Sequence, residues 1–334
     1  MNLPPIGFGC MSLSHAYGIP PTADEGIATI RGVLDAGVGD AGAVLLDTAT
    51  LYGGGRNEEL VGRAIAGRRD EVVLASKGGM ALVDGVKVID GHPETLRAQV
   101  DASLRRLGVD HIDLYYLHRW DKTVPIAESV GALAEAVVAG KIGAIGLSEV
   151  SVPRLREALA EAPIAAVQNE YSLWSRNPEL GMLAATAEAG VALVAFSPVA
   201  RGFLAGAIDD PADLPEKDIR RAMPRFGADH WPANARLLPA WRELAAEAGC
   251  TPAQLALAWL RSRGDHVVPI PGSTSLAHVR ENLAAVHLSI APDVLERAGI
   301  LIDTGTVSGP RYNTTNAAEV DAESFEAATS GSAA

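Results

Sequence analysis

Cysteine is nearly absent from this sequence. Cys10 and Cys250 stand far apart, and no Cys-x-x-Cys pair exists. A disulfide framework or a zinc ribbon is therefore not expected, and a reducing compartment fits. Positive charge is also scarce. The chain has 28 Lys and Arg against 41 Asp and Glu, a net charge of −13. This argues against the broad basic footprint of a nucleic-acid binder, while a local basic pocket for a phosphorylated ligand stays allowed. No run approaches the roughly 18 apolar residues of a membrane span. The opening MNLPPIGFGC has no basic segment followed by an apolar one, so no secretory leader is expected. These absences lead to the expectation of a soluble, cytoplasmic protein.

What the sequence does contain is alternation. Eight short apolar runs read as strands: Pro5 to Cys10, Val44 to Asp47, Val72 to Lys77, Ile112 to His118, Ile142 to Ser148, Ala165 to Gln168, Val191 to Ser197 and Val267 to Pro271. Several are apolar almost throughout, as expected of strands buried on both faces. Longer amphipathic segments lie between them: Glu25 to Ala36, Asn57 to Ala66, Glu94 to Leu107, Ile126 to Ala139, Pro153 to Ala160, Pro178 to Ala189, Thr251 to Arg261 and Ala277 to Ala285. Proline near the starts and glycine past the ends punctuate them as helices.

Eight such alternations predict an α/β fold, a (β/α)8 TIM barrel. A doubly wound sheet is second, because the Gly-x-Gly-x-x-Gly expected after its first strand is missing. One domain is expected over residues 1–334, with a core of about 5–302. The extra length goes to a long connection, Ala200 to Arg236, an added helix from Leu238 to Gly249, and a tail from 303 to 334. The last stretch, EAATSGSAA, reads as disordered.

A barrel places its site at the C-terminal ends of its strands. Asp47 closes the second run, with Tyr52 five residues on. Lys77 closes the third and His118 the fourth. Each alone is ordinary, but together they converge on one rim. Tyrosine titrates near 10, and a neighbouring lysine ammonium favours its phenolate and lowers that value. Aspartate can hold the lysine, and a neutral histidine can orient a carbonyl oxygen. Such a quartet suits hydride addition to a C=O without a metal. No metal-ligand spacing appears. A Schiff base on Lys77 is the alternative chemistry. The triple glycine Gly53-Gly54-Gly55 lacks the P-loop pattern. It reads as a hinge that lets Tyr52 face the barrel mouth.

The segments DTATLYGGGRNEELVG, VVLASKGG, IDLYYLHRWD, GKIGAIGLSEVS, AAVQNEYSLW, AFSPVARGF and IPGSTSLAHVRENLAA, in that order, resemble the aldo-keto reductase superfamily over roughly residues 5 to 312. Within it the chain looks like the pyridoxal reductase-like and auxin-induced-protein-like branch. The resemblance implies an oxidoreductase that reduces small-molecule carbonyls with NADP(H), with Tyr52 as acid, His118 orienting the carbonyl, and Lys77 paired to Asp47. It implies Ser148 and Gln168 at the nicotinamide carboxamide and Phe196 stacked on that ring. Ser197, Val199 and Arg201 would follow the pyrophosphate. Ser273, Thr274, His278, Glu281 and Asn282 would hold the adenosine end.

His278 stands where many NADP-binding members carry Arg, which leaves NAD(H) use open. Glu149 replaces a common Asn, with Asn169 as its nearest substitute. A floor hairpin found in many members is expected to be short or missing, because the first strand starts near residue 5. Trp120, Trp174 and Trp231 are expected on the substrate side, with Met223, Arg225, Phe226 and Tyr312. The same fold also serves redox-sensing channel subunits, which gives a regulatory alternative. The sequence leaves the oligomeric state open.

Overall fold

The computed structural model describes residues 1–37 and 42–325. The expected disorder of 326–334 falls outside the described residues. The elements run in chain order as β1 (Gly7–Gly9), α1 (Ala23–Ala36), β2 (Val44–Asp47), α2 (Arg56–Ile65), β3 (Val72–Gly78), β4 (Met80–Val83), β5 (Val86–Ile89) and α3 (Pro93–Leu107). Next come β6 (Ile112–Leu117), α4 (Ile126–Val138), β7 (Ile142–Ser148), α5 (Val152–Glu161), β8 (Ile164–Glu170), α6 (Met182–Ala189) and β9 (Ala192–Phe196). Last are α7 (Trp231–Ala235), α8 (Leu238–Glu247), α9 (Pro252–Arg261), β10 (Val267–Pro269), α10 (Leu276–Ala284), α11 (Pro292–Leu301) and α12 (Thr314–Ala318).

Eight strands pair in parallel in the order β1-β2-β3-β6-β7-β8-β9-β10. Beyond β10 the chain returns to β1, where Gly9 N donates to Pro271 O at 3.2 Å. A Cβ on Gly272 would lie 2.5 Å from Gly9 O, so glycine permits this close approach. The result is a nearly closed (β/α)8 barrel, as the alternation predicts.

Its packing follows the period of two along each strand. On β2, Leu45 points into the barrel with Ala75, Leu114, Tyr116, Ala166, Val194, Val268 and Ile270. Its neighbours Val44 and Leu46 point out against the helices. Helix starts are fixed locally. Thr22 and Glu25 form a capping box at α1, and Thr251 and Gln254 form one at α9.

The structure departs from the sequence reading in a few places. Pro178 opens a 3-10 turn, Asn177–Leu180, and α6 begins only at Met182. A hairpin, β4–β5, follows β3 and turns at Asp84-Gly85. Its signal was the Asp-Gly pair between apolar residues, which is a two-residue hairpin turn. Helix α11 was also not anticipated. Among the described residues no strand precedes β1, and Leu3 packs against the inner barrel cluster instead. No helix among them is long and apolar enough to cross a membrane.

Candidate active site

Parallel strands all end on the same rim, so β2, β3 and β6 present Asp47, Lys77 and His118 side by side. Lys77 lies fully buried behind the cavity wall. Its ammonium is ion-paired to Asp47, donates to Thr48 O at 2.9 Å, and donates to the Tyr52 hydroxyl at 3.1 Å. Gln168 Nε2 donates to the other Asp47 oxygen at 2.8 Å. The Tyr52 ring meets the His118 ring edge-on, with centroids 5.8 Å apart. The four residues of the expected quartet therefore form one run, Asp47 to Lys77 to Tyr52 to His118.

Gly53, Gly54 and Gly55 have φ of 59°, 65° and 93°. Three successive left-handed residues turn the chain between Tyr52 and α2, a conformation open to glycine and costly to others.

Burial sets the protonation states. It pushes Tyr52 above its usual 10.0, more strongly than Lys77 pulls it down. The expected lowering by Lys77 is thus present but outweighed. Burial works against charge on Lys77 as well, but there Asp47 and Tyr52 prevail and hold it above 10.5. Burial, then Arg119 and Lys77, hold His118 well below 6.5. At neutral pH the site has a neutral phenol, an ammonium and a neutral imidazole. His118 Nδ1 is buried without a partner.

These groups open onto a cavity of about 700 Å³. Asp47, Tyr52 and His118 line it. So do all eleven residues expected at a dinucleotide: Ser148, Gln168, Phe196, Ser197, Val199, Arg201, Ser273, Thr274, His278, Glu281 and Asn282. They form a polar track from the ends of β7 and β8, past the loop after β9, to the start of α10. Ser275 caps α10, and its hydroxyl accepts from His278 N at 3.5 Å. Ser197, Ala200 and Arg201 all have positive φ, so the β9 loop is strained along this track. The donors and the elongated course fit a dinucleotide.

Some expected residues are placed differently. Arg201 lines the cavity, but its guanidinium is held by Glu170 at 2.8 Å and by Tyr17 and Tyr312 hydroxyls at 3.0 and 3.3 Å. Its charge is already neutralised. Glu149 is turned away from the cavity and ion-paired to Arg311. Asn169 does not take its place, because its Oδ1 accepts from Glu149 N at 2.9 Å. Trp120, Trp174 and Trp231 are not on the cavity wall. Trp174 stacks on Phe203 with centroids 4.3 Å apart, and Trp231 stacks on Phe226 at 5.8 Å. Trp120 donates to Val124 O and lies under Arg154. All three are held by packing, and Trp174 also borders a second cavity with Arg225, Arg311 and Tyr312. Met223 and Tyr312 do line the cavity; Arg225 and Phe226 do not.

The C-terminal segment from 311 to 325 crosses the rim. Besides Arg311–Glu149, it is held by Lys87–Glu319 at 2.7 Å, by Lys122 Nζ to Ala318 O at 2.9 Å, and by Ser151 Oγ to Asp321 at 2.7 Å. Asn316, Glu319 and Val320 face the cavity.

Comparison with known proteins decides the lineage. The model of the aldo/keto reductase family matches residues 5–302. The chain belongs to the aldo/keto reductase family. It is similar to the NADP(+) aldo-keto reductase Yakc of Schizosaccharomyces pombe, with 38% identity over 318 residues, 93% of this chain and 92% of that one. Among solved structures it resembles the glycerol dehydrogenase of Gluconobacter oxydans, with a TM-score of 0.82, 26% identity, and 94% and 95% of the two chains covered. It also resembles an aldo-keto reductase from Klebsiella pneumoniae in complex with NADPH, with a TM-score of 0.69, 27% identity, and 93% and 95% covered.

For an aldo/keto reductase, this chain adds wall residues that sequence reasoning missed. His15, Tyr17, Lys87, Arg119 and Arg220 all line the cavity. Arg119 was visible as the residue after His118. The others sit on loops whose course no local pattern reveals.

Proposed function

We propose that this chain reduces aldehyde or ketone carbonyls to alcohols with NADPH, and that Tyr52 gives the proton. The observation that carries this reading is the Tyr52 hydroxyl 3.1 Å from the buried Lys77 ammonium, opening on the same cavity as a neutral His118. The NADP(+) relative and the NADPH-bound neighbour support the choice of cofactor.

When bound, NADPH supplies the hydride. Ser148 and Gln168 would hold its nicotinamide end, Phe196 would cover the ring, and the loop after β9 with the start of α10 would take the phosphates and adenosine. The chain's own part is proton delivery and orientation. As the carbonyl carbon gains hydride, its oxygen becomes basic and takes the Tyr52 proton. Lys77 stabilises the phenolate left behind, and Asp47 keeps Lys77 in place. His118 has a bare Nδ1, which is cheapest as an acceptor. Its proton then belongs on Nε2, where it can donate to the carbonyl oxygen.

The lyase alternative loses support, because Lys77 is held as an ammonium and an ammonium is not a nucleophile. The deciding experiment mixes the protein with NADPH and a panel of aldehydes, pyridoxal included, and follows cofactor absorbance. Turnover is expected, and Tyr52→Phe should lose at least about 10²-fold in kcat. Wild-type rates in that variant would remove Tyr52 as the acid. Tight NADPH binding with no turnover of any carbonyl would support a sensor instead.

A further inference from the structure

The charged groups on the cavity wall are nearly all matched. Asp47 has Lys77, Arg201 has Glu170, Arg220 has Asp218, and Lys87 has Glu319. Glu281 accepts from Thr251 at 2.5 Å. Arg119 is different. Among the described residues it has no carboxylate partner and stacks on no ring.

Its hydrogen bonds show how it is aimed. Nη1 donates to His118 O at 2.7 Å and to Ser148 Oγ at 3.2 Å. Nε is covered and has no acceptor. Nη2 donates to nothing among the described residues. A guanidinium grips a carboxylate with two parallel bonds along one edge, and the Nε–Nη2 edge is such a fork. Here Nε is shut in and Nη1 is anchored to the wall, so Nη2 alone is open to the cavity and offers one charged hydrogen bond rather than a fork.

We infer that Arg119 is an anion seat beside the reacting centre, and that the favoured substrates are carbonyl compounds bearing a carboxylate or a similar anionic group. This rests on the reductase reading given above. Three observations support it. A half-buried cation without a counter-charge is costly to keep, and an incoming anion removes that cost. Arg119 adjoins His118 and Ser148, so an anion there belongs to a molecule held at the reacting end. The cofactor phosphates would lie on the far track, by the β9 loop and α10. The whole chain carries a charge of −13, so a fixed local cation is needed if anions are to enter.

The test compares matched substrate pairs within each protein. The pairs are 2-, 3- and 4-carboxybenzaldehyde against the corresponding formylbenzamides, and succinic semialdehyde against 4-oxobutanamide. In the wild type, kcat/KM for the acid should exceed that for the amide by at least about tenfold in one or more pairs, the low end for a charged hydrogen bond. Added salt should shrink the ratio. Arg119→Met should bring the ratio to about one, and Arg119→Lys should restore part of it. Taking a ratio cancels any general loss of rate in the variants.

A wild-type ratio at or below one for every pair overturns the inference. So does a ratio unchanged in Arg119→Met, or a defect confined to NADPH binding. If that variant does not fold, the wild-type ratio and its salt dependence still decide. If no carbonyl is turned over at all, the reductase reading fails instead. The seat is then judged by binding of benzoate against benzamide to the NADP+-saturated protein: tighter benzoate supports it, and equal binding rejects it.

Discussion

Asp47 shows how one side chain can neutralise a buried charge and line the cavity at once. Both its oxygens are engaged, one by Lys77 and one by Gln168, and the residue is almost wholly buried at the edge of the cavity. Asp47→Asn leaves Lys77 as an uncompensated buried cation, a loss of about 3–5 kcal/mol. Urea unfolding should register it alongside a fall in kcat; unchanged stability would mean that Lys77 sheds its proton instead. The pH dependence follows from the same neighbourhood. His118 titrates well below 6.5 and Tyr52 above 10.0. Between those limits Tyr52 keeps its proton and His118 stays neutral, both as the proposed reduction requires. A plot of kcat for reduction should be flat from about pH 6.5 to about 9. It should fall on the acid side only once His118 gains a proton, so an acid limb centred at 6.5 or higher would contradict the assignment. The quartet was legible in sequence because each member ends a strand or follows one closely. The Glu149–Arg311 pair was not, because its partners lie 162 residues apart and nothing local announces such a meeting.

At the level of elements, the segment 311–325 is tied down by charges more than by apolar packing. Arg311 is the inner tie, and the Glu149 side chain it neutralises is fully buried. Arg311→Met should strand that carboxylate at a cost of about 3–5 kcal/mol. Amide exchange should then quicken across 311–325 before it does in β6 or β7, and KM for the carbonyl should rise because Asn316, Glu319 and Val320 lose their places. Uniform exchange throughout the chain would argue against a strap. The strands and most helices could be read from the sequence, since period two and period 3.6 are local properties. The β4–β5 hairpin could not be read with that rule. Leu82, Val83, Val86 and Val88 are exposed there, so no buried face imposes a period. The tryptophans are ambiguous in sequence for a related reason: a large ring in a long loop suits a ligand wall or a loop core equally well.

For the molecule as a whole, the cavity draws its walls from the strand ends of β2, β6, β7, β8 and β9 and from the start of α10. A cofactor seated there holds most of the ring together. NADPH at 100 times its dissociation constant should stabilise the fold by about 2.7 kcal/mol, seen as a rise in Tm. Calorimetry should show one transition with and without it, and two separated transitions would count against a single domain. The barrel was legible because eight alternations admit few closed arrangements. The place where the ring closes was not, since it depends on two glycines at opposite ends of the core. That closure also bears on how the protein is made. β1 leaves the ribosome first, yet its partner across the Gly9–Pro271 bond is more than 260 residues behind it in synthesis. Throughout that interval one edge of β1 has no neighbour, and an open strand edge is where chains join the wrong partners. Its brevity, three residues from Gly7 to Gly9, gives a stray chain little to hold while the nascent barrel waits for its last strand.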